Sequence, residues 1–221
     1  MNLFKKTQLL IVLLLIATVS AKAQRSDPAY VKAIKERSWK IVQKLNIADQ
    51  VQAVKVRDII ANQYMDLNDV YIYRDAEKKK IKASEELSAS QKKKAEEKIA
   101  QKVTKKIDKL HRKYISNLNK NLTDEQVIGV KDGMTYGVVP LTFGAYEEML
   151  PNLTQEQKNQ MYIWLVEARE HAMDAESSEK KHAWFGKYKG RINNYLSAAG
   201  IDMKKAGEEW QARIKAAKAQ K

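Results

Sequence analysis

The sequence predicts an all-α fold, a helical bundle with a long antiparallel helical hairpin. Three observations carry that prediction. Only three prolines and eight glycines occur in 221 residues, too few turn residues for a sandwich or barrel. Ala, Lys, Glu, Gln and Leu dominate, and all favour helix. Apolar residues recur at steps of three and four rather than two. There are no cysteines, so a packed core must supply stability without cross-links. At this length one core suffices. One or two domains are both compatible, and a single all-helical domain over residues 24–221 is expected.

Residues 1–23 read as a secretory signal peptide. Lys5 and Lys6 precede an apolar run of eleven residues, Leu9–Val19, and Ala21-Lys22-Ala23 places small residues at both cleavage positions. The cut is expected before Gln24. The run is shorter than the roughly 20 residues a membrane-spanning helix needs. No cysteine follows it to carry a thiol-linked lipid. The expectation is a periplasmic or secreted protein with no stable membrane insertion after cleavage.

Asp27-Pro28 opens the first helix, with Asp as the cap and Pro in the first turn. Tyr30, Ile34, Ile41, Val42 and Leu45 give it an apolar face. A second helix begins near Asp49 and keeps helical spacing through Val51, Val54, Ile59, Ile60, Tyr64, Leu67 and Tyr71. Residues 83–90, ASEELSAS, are the turnaround. The third helix returns with Ile99, Val103, Ile107, Leu110, Tyr114 and Leu118, a narrow stripe like a two-helix seam. Residues 50–120 therefore form the expected hairpin.

Two start signals follow, Leu122-Thr123-Asp124-Glu125-Gln126 and Leu153-Thr154-Gln155-Glu156-Gln157, lying 31 residues apart. Each contains Thr-x-x-Gln, a capping box. Leu45–Gln50, LNIADQ, is a looser third copy. Gly137-Val138-Val139-Pro140 predicts a break, because proline removes a helix hydrogen bond and restrains its predecessor. A short helix from Leu141 to Leu150 then stops at Pro151. The tail from Met203 carries one more helix with Trp210 as its anchor, and the final KAAKAQK is expected to fray.

The formal charge is +14, and loss of the leader removes three lysines to leave +11. Between Lys78 and Lys120 there are 15 Lys and Arg against 5 Asp and Glu. A basic surface attracts polyanions. For an exported chain these are an acidic polysaccharide or an anionic membrane surface rather than nucleic acid. The plainer reading is that the lysines solvate a long exposed helix pair.

The segment Glu167–Gly200 crowds ionisable groups, aromatics and two glycines into two consecutive helices. On a helical projection, Trp164, Leu165, Ala168, Ala172 and their neighbours occupy an arc of about 200°. Arg169 falls inside that apolar arc. A buried guanidinium needs a partner, which is a carboxylate, carbonyl groups or an anionic ligand. In the next helix Trp184, Phe185, Tyr188, Ile192, Tyr195 and Leu196 make an aromatic face. Ala183, Gly186, Gly190, Asn193 and Ser197 make a face of small residues, expected to accept a closely packed backbone or a ligand. Lys187, Arg191 and Asn194 border Trp184. Cations beside an indole suit an acidic sugar, through stacking on the ring and charge pairing with its carboxylate. The candidate ligand-binding residues are therefore Trp164, Arg169, His171, Trp184, Lys187, Tyr188 and Arg191.

Other chemistries find less. Glu179-x-x-His182 is one element of a di-iron bundle, which needs two such pairs and further glutamates. His111 and His171 complete no HExxH zinc motif. No GxSxG elbow or phosphate-binding glycine loop occurs. Neither a metal nor a cofactor is expected, and a binding role is favoured over an enzymatic one.

The segments AYVKAIKERSWKIVQKL, KVRDIIANQY, VKDGMTYGVVPLTFGAYEEMLPNLTQEQ and MYIWLVEAREHAMDAESSEKKHAWFGKYKGRINNYLSAAGID cover most of the mature chain. Through them the sequence resembles a secreted bacterial family of unknown function that carries a sugar-binding label. Its members tend to be encoded beside pectin-degrading enzymes. The resemblance implies a role in handling galacturonate-rich glycans and transfers no catalytic residues. The two LTxxQ segments, the basic charge and the hairpin are also similar to periplasmic helical stress chaperones. An acidic oligosaccharide or polysaccharide is the expected partner. A chaperone or envelope interaction protein is the alternative, and an unrecognised polysaccharide lyase or hydrolase the third reading.

Overall fold

The computed structural model describes Arg25 and residues 27–219. The expected leader and its cleavage point lie outside the described residues, as do the last two residues of the tail. Eight helices and no strands make up the described chain, so the fold is all-α. No helix among the described residues is long and apolar enough to cross a membrane. By compactness the chain divides into two units, residues 1–129 and 130–221.

The first unit contains α1 (Pro28–Val42), α2 (Gln50–Ala83), α3 (Ala89–Asn119) and the start of α4 (Asp124–Met134). Asp27 caps α1 by accepting from the Ala29 amide, and Asp49 caps α2 by accepting from Val51. The looser LNIADQ copy therefore works through its aspartate and not through a Thr-x-x-Gln box. Helices α2 and α3 run 34 and 31 residues, and a five-residue turn, 84–88, joins them. Ser88 and Gln91 close that turn with a reciprocal capping box, a third box that the serine-rich run concealed. Lys92 Nζ donates to the Lys82 carbonyl at 3.0 Å. Lys102 and Lys106 sit 5.0 and 4.2 Å over the Tyr73 ring, and the Gln52 amide donates to the Asn121 carbonyl. Partners descend one helix as they ascend the other, so the two run antiparallel. Val103, Tyr114 and Leu118 of α3 are buried, on the stripe that the apolar spacing marks. Helix α1 packs on α2 through Ile34, Ala61 and Met65, flanked by Tyr30 and Tyr64. Arg25 bridges Asp66 and Asp69 at 2.5 and 2.7 Å.

The second unit contains α5 (Val138–Met149), α6 (Gln155–Met173), α7 (Ser178–Ala198) and α8 (Met203–Ala219). Its core is one cluster: Met161, Leu165, Ala168 and Ala172 from α6, Phe185, Tyr188, Ile192 and Leu196 from α7, and Val139 and Tyr146 from α5. The break expected over Gly137–Pro140 falls at the start of that segment, and the helix expected from Leu141 begins at Val138. Tyr136 and Gly137 both have positive φ, at 61° and 66°, and the Gly137 amide closes onto the Asp132 carbonyl at 2.8 Å. Pro140 then sits in the first turn of α5, where its missing N–H would have had no helical partner.

Two further expectations change. A Cβ added at Gly186 or Gly190 would meet nothing within 4 Å, and both residues are exposed. Among the described residues the small-residue face of α7 therefore packs against no backbone. In α8, Met203 and Ala206 pack on the core, whereas Trp210 is half-buried and lines a groove. Arg213 holds α8 to the end of α5 by donating to the Glu148 and Met149 carbonyls at 2.9 and 3.2 Å.

Candidate functional site

Helix α6 starts on the Thr154–Gln157 box and α7 on Ser177, whose hydroxyl accepts from the Lys180 amide. The short connection makes them antiparallel neighbours. Buried Lys181 reaches back from α7 and donates to the Met173 carbonyl at 3.0 Å. A cation there complements the negative end of α6. The joint is thus fixed by charge as well as by packing.

That geometry brings six of the seven sequence-predicted residues onto one face of the α6–α7 pair. His171 stacks on Trp184 at 4.4 Å between centroids and 17° between planes. Lys187 Nζ lies 5.2 Å from the Trp184 ring. One to two turns along, Arg191 Cζ lies 4.5 Å from the Trp164 ring, and Tyr195 meets Trp164 edge-on at 5.3 Å. Tyr188 is buried between these two groups, with His171 at 6.3 Å. Both indoles are half-buried, and His171, Lys187 and Arg191 are exposed. The result is a surface strip about 16 Å long in which each of two tryptophans carries a cation.

Arg169 does not join them. Only 3% exposed, it turns to the end of α4, where Nη1 donates to Asp132 at 2.8 Å. Its Nε lies 3.7 Å from Glu170 and makes no hydrogen bond. Lys131 holds both Glu170 oxygens, at 3.0 and 2.9 Å. The guanidinium on the apolar arc is thus partnered by a protein carboxylate. Tertiary packing places it there, because residue 169 projects from the arc that faces α4 and not from the edge that carries 164, 167 and 171.

Glu167 is the residue that the sequence reading missed. It accepts a hydrogen bond from the Tyr188 phenol, and its Oε2 lies 3.7 Å from Arg191. The usable signal was its spacing, three residues after Trp164 and four before His171 on the same edge. Burial, reinforced by the hydrogen bond to Glu167, pushes the Tyr188 phenol up to about 12. Burial likewise pushes Tyr146 up to about 12, and its hydroxyl donates to Asn193 at 2.5 Å. The folded pKa exceeds the ordinary value of 10.0 for both, so their contribution to stability is complete below pH 10 and is lost as pH rises through 12. Melts between pH 8 and 12 are expected to show a steep alkaline decline that flattens in Tyr146→Phe and Tyr188→Phe. An unchanged slope in both variants would contradict the assignment.

Elsewhere in the second unit, a groove of about 370 Å³ lies between α5, α7 and α8, with Tyr146, Asn193, Lys189 and Trp210 in its lining. Tyr136 stacks on His182 at 5.5 Å. Among the described residues, no group of three or more His, Asp or Glu is placed to hold a metal ion. Residues 31–216 match the model of a family described as a protein of unknown function (DUF3826). No curated protein matches the sequence.

Proposed function

The chain belongs to the DUF3826 family, and from that premise we propose that it is an exported protein that binds acidic oligosaccharides, galacturonate-containing glycans among them, on the α6–α7 strip. The observation that carries the proposal is the pairing of Trp184 with Lys187 and of Trp164 with Arg191, at 5.2 and 4.5 Å. Each exposed cation lies over its indole; on turning away to pair with a sugar carboxylate it uncovers that ring face for the apolar face of the pyranose. Two such pairs on one surface fit consecutive uronate units. Arg191 is 55% exposed and its contact with Glu167 is loose, so a ligand carboxylate can replace that contact at small cost. Arg169 is committed to Asp132 and takes no part. The helical-chaperone reading gains less support, because Thr123–Gln126 and Thr154–Gln157 are both occupied in caps.

Calorimetric titration of the mature protein with galacturonate tetramer and with a neutral tetramer of the same length tests the proposal. Saturable heat with the acidic ligand and none with the neutral one is expected. No heat with either at millimolar concentration rejects the proposal.

A further inference from the structure

The lysines of α3 are not spread around the helix. At 100° per residue, Lys94, Lys98, Lys102, Lys105, Lys106, Lys109, Arg112 and Lys113 fall within an arc of about 120°, and all eight are exposed. The acidic residues of the helix, Glu96, Glu97 and Asp108, lie outside that arc. The buried seam of Val103, Tyr114 and Leu118 lies on another side, against α2. Solvation alone does not require this sorting, since mixed charges solvate a helix as well and repel less. Eight like charges along roughly 28 Å of rigid helix raise the local potential along a line.

We infer that this stripe is a track for a linear polyuronate, an unbranched polysaccharide with a carboxylate on each sugar. Cations recur one to two per turn, one roughly every 4 Å along the axis, a spacing of the order of one sugar unit. A membrane fits less well. The apolar side of α3 is packed on α2 and has nothing to insert, whereas interfacial helices bury an apolar face in the lipid. Single-stranded nucleic acid fits less well too, because the arc itself has no aromatic residue and the neighbouring Tyr73 of α2 is half-buried and already carries Lys102 and Lys106, which leaves no run of open rings on which bases stack. The track is in the first unit and shares no residue with the α6–α7 strip, so it stands or falls independently of that strip.

The test uses the full mature protein with polygalacturonate and alginate as probes, at low and at 150 mM salt. The stripe variant replaces Lys98, Lys105, Lys109 and Arg112 by Gln. A control replaces Lys204, Lys205, Lys215 and Lys218, which are exposed on α8, by Gln. Both lower the net charge by the same amount, and circular dichroism checks that both fold. The stripe variant is expected to lose about tenfold in affinity for both polymers at low salt, with a shallower salt dependence, while the control keeps wild-type affinity. Galacturonate tetramer binding should be unaffected by the stripe variant and weakened about a hundredfold in Lys187→Ala/Arg191→Ala, which separates the two surfaces. Equal losses in stripe variant and control would reduce the effect to net charge and overturn the inference. So would no loss in either, or tighter binding to phosphatidylglycerol vesicles or duplex DNA than to the polymers.

Discussion

Arg169→Ala is expected to lower the unfolding free energy by about 3 kcal/mol. Removing one partner of a buried ion pair costs about 3–5 kcal/mol when the other charge is left sealed from water. Asp132 keeps 24% of its side chain exposed and can rehydrate, which pulls the cost to the low end. The loss of packing around a side chain that is 4% exposed adds to it. Glu170 keeps Lys131, so the network does not collapse entirely. Asp132→Asn should cost less, about 1 kcal/mol, because the amide oxygen still accepts from the guanidinium. Urea or thermal unfolding measures both. A change below about 0.5 kcal/mol in Arg169→Ala would show that the pair does not hold the second unit together. Under conditions where the variant is folded, its affinity for galacturonate tetramer should equal that of the wild type. A specific loss of binding would return Arg169 to the ligand site.

Lys187→Ala/Arg191→Ala is expected to weaken galacturonate tetramer binding about a hundredfold with little change in stability. Each cation is exposed, so its removal leaves no buried orphan. Each would lose one charge-assisted contact to a ligand carboxylate, worth about 1.5 kcal/mol, and two such losses make the hundredfold. Trp184→Ala should cost roughly tenfold through the lost ring face, and some stability as well, because the indole is half-buried and stacked on His171. Wild-type affinity in the double variant would sink the strip as a binding surface, whatever the tryptophan variant does.

Much of the fold was legible because helix signals are local. Caps, apolar spacing and the scarcity of glycine and proline act within a few residues, so the helix starts at Asp27, Asp49, Thr123 and Thr154 could be read directly. The exceptions were equally local but ambiguous. Ser88 was hidden among serines of equal capping ability, and Pro140 is compatible with either a break or a first turn. The positive φ of Tyr136 and Gly137 decides between those two.

The candidate site was only partly legible, for a different reason. A helical projection tells which residues share a side, not what that side meets. Trp184, Lys187, Tyr188 and Arg191 stand out in the sequence because a cation beside an indole is unusual within a single helix. Glu167 was missed because its partners, Tyr188 and Arg191, are supplied by the neighbouring helix. Gly186 and Gly190 were read as a packing surface, yet they face open space.

Composition and periodicity by themselves determined an all-helical, cysteine-free, strongly basic chain, since those properties follow from each residue and its near neighbours. Tertiary structure alone decided that Arg169 belongs to Asp132 and that the two tryptophan–cation pairs lie in line. Both depend on which residue of one helix lies opposite which residue of another, and that register is set by the packing of whole faces.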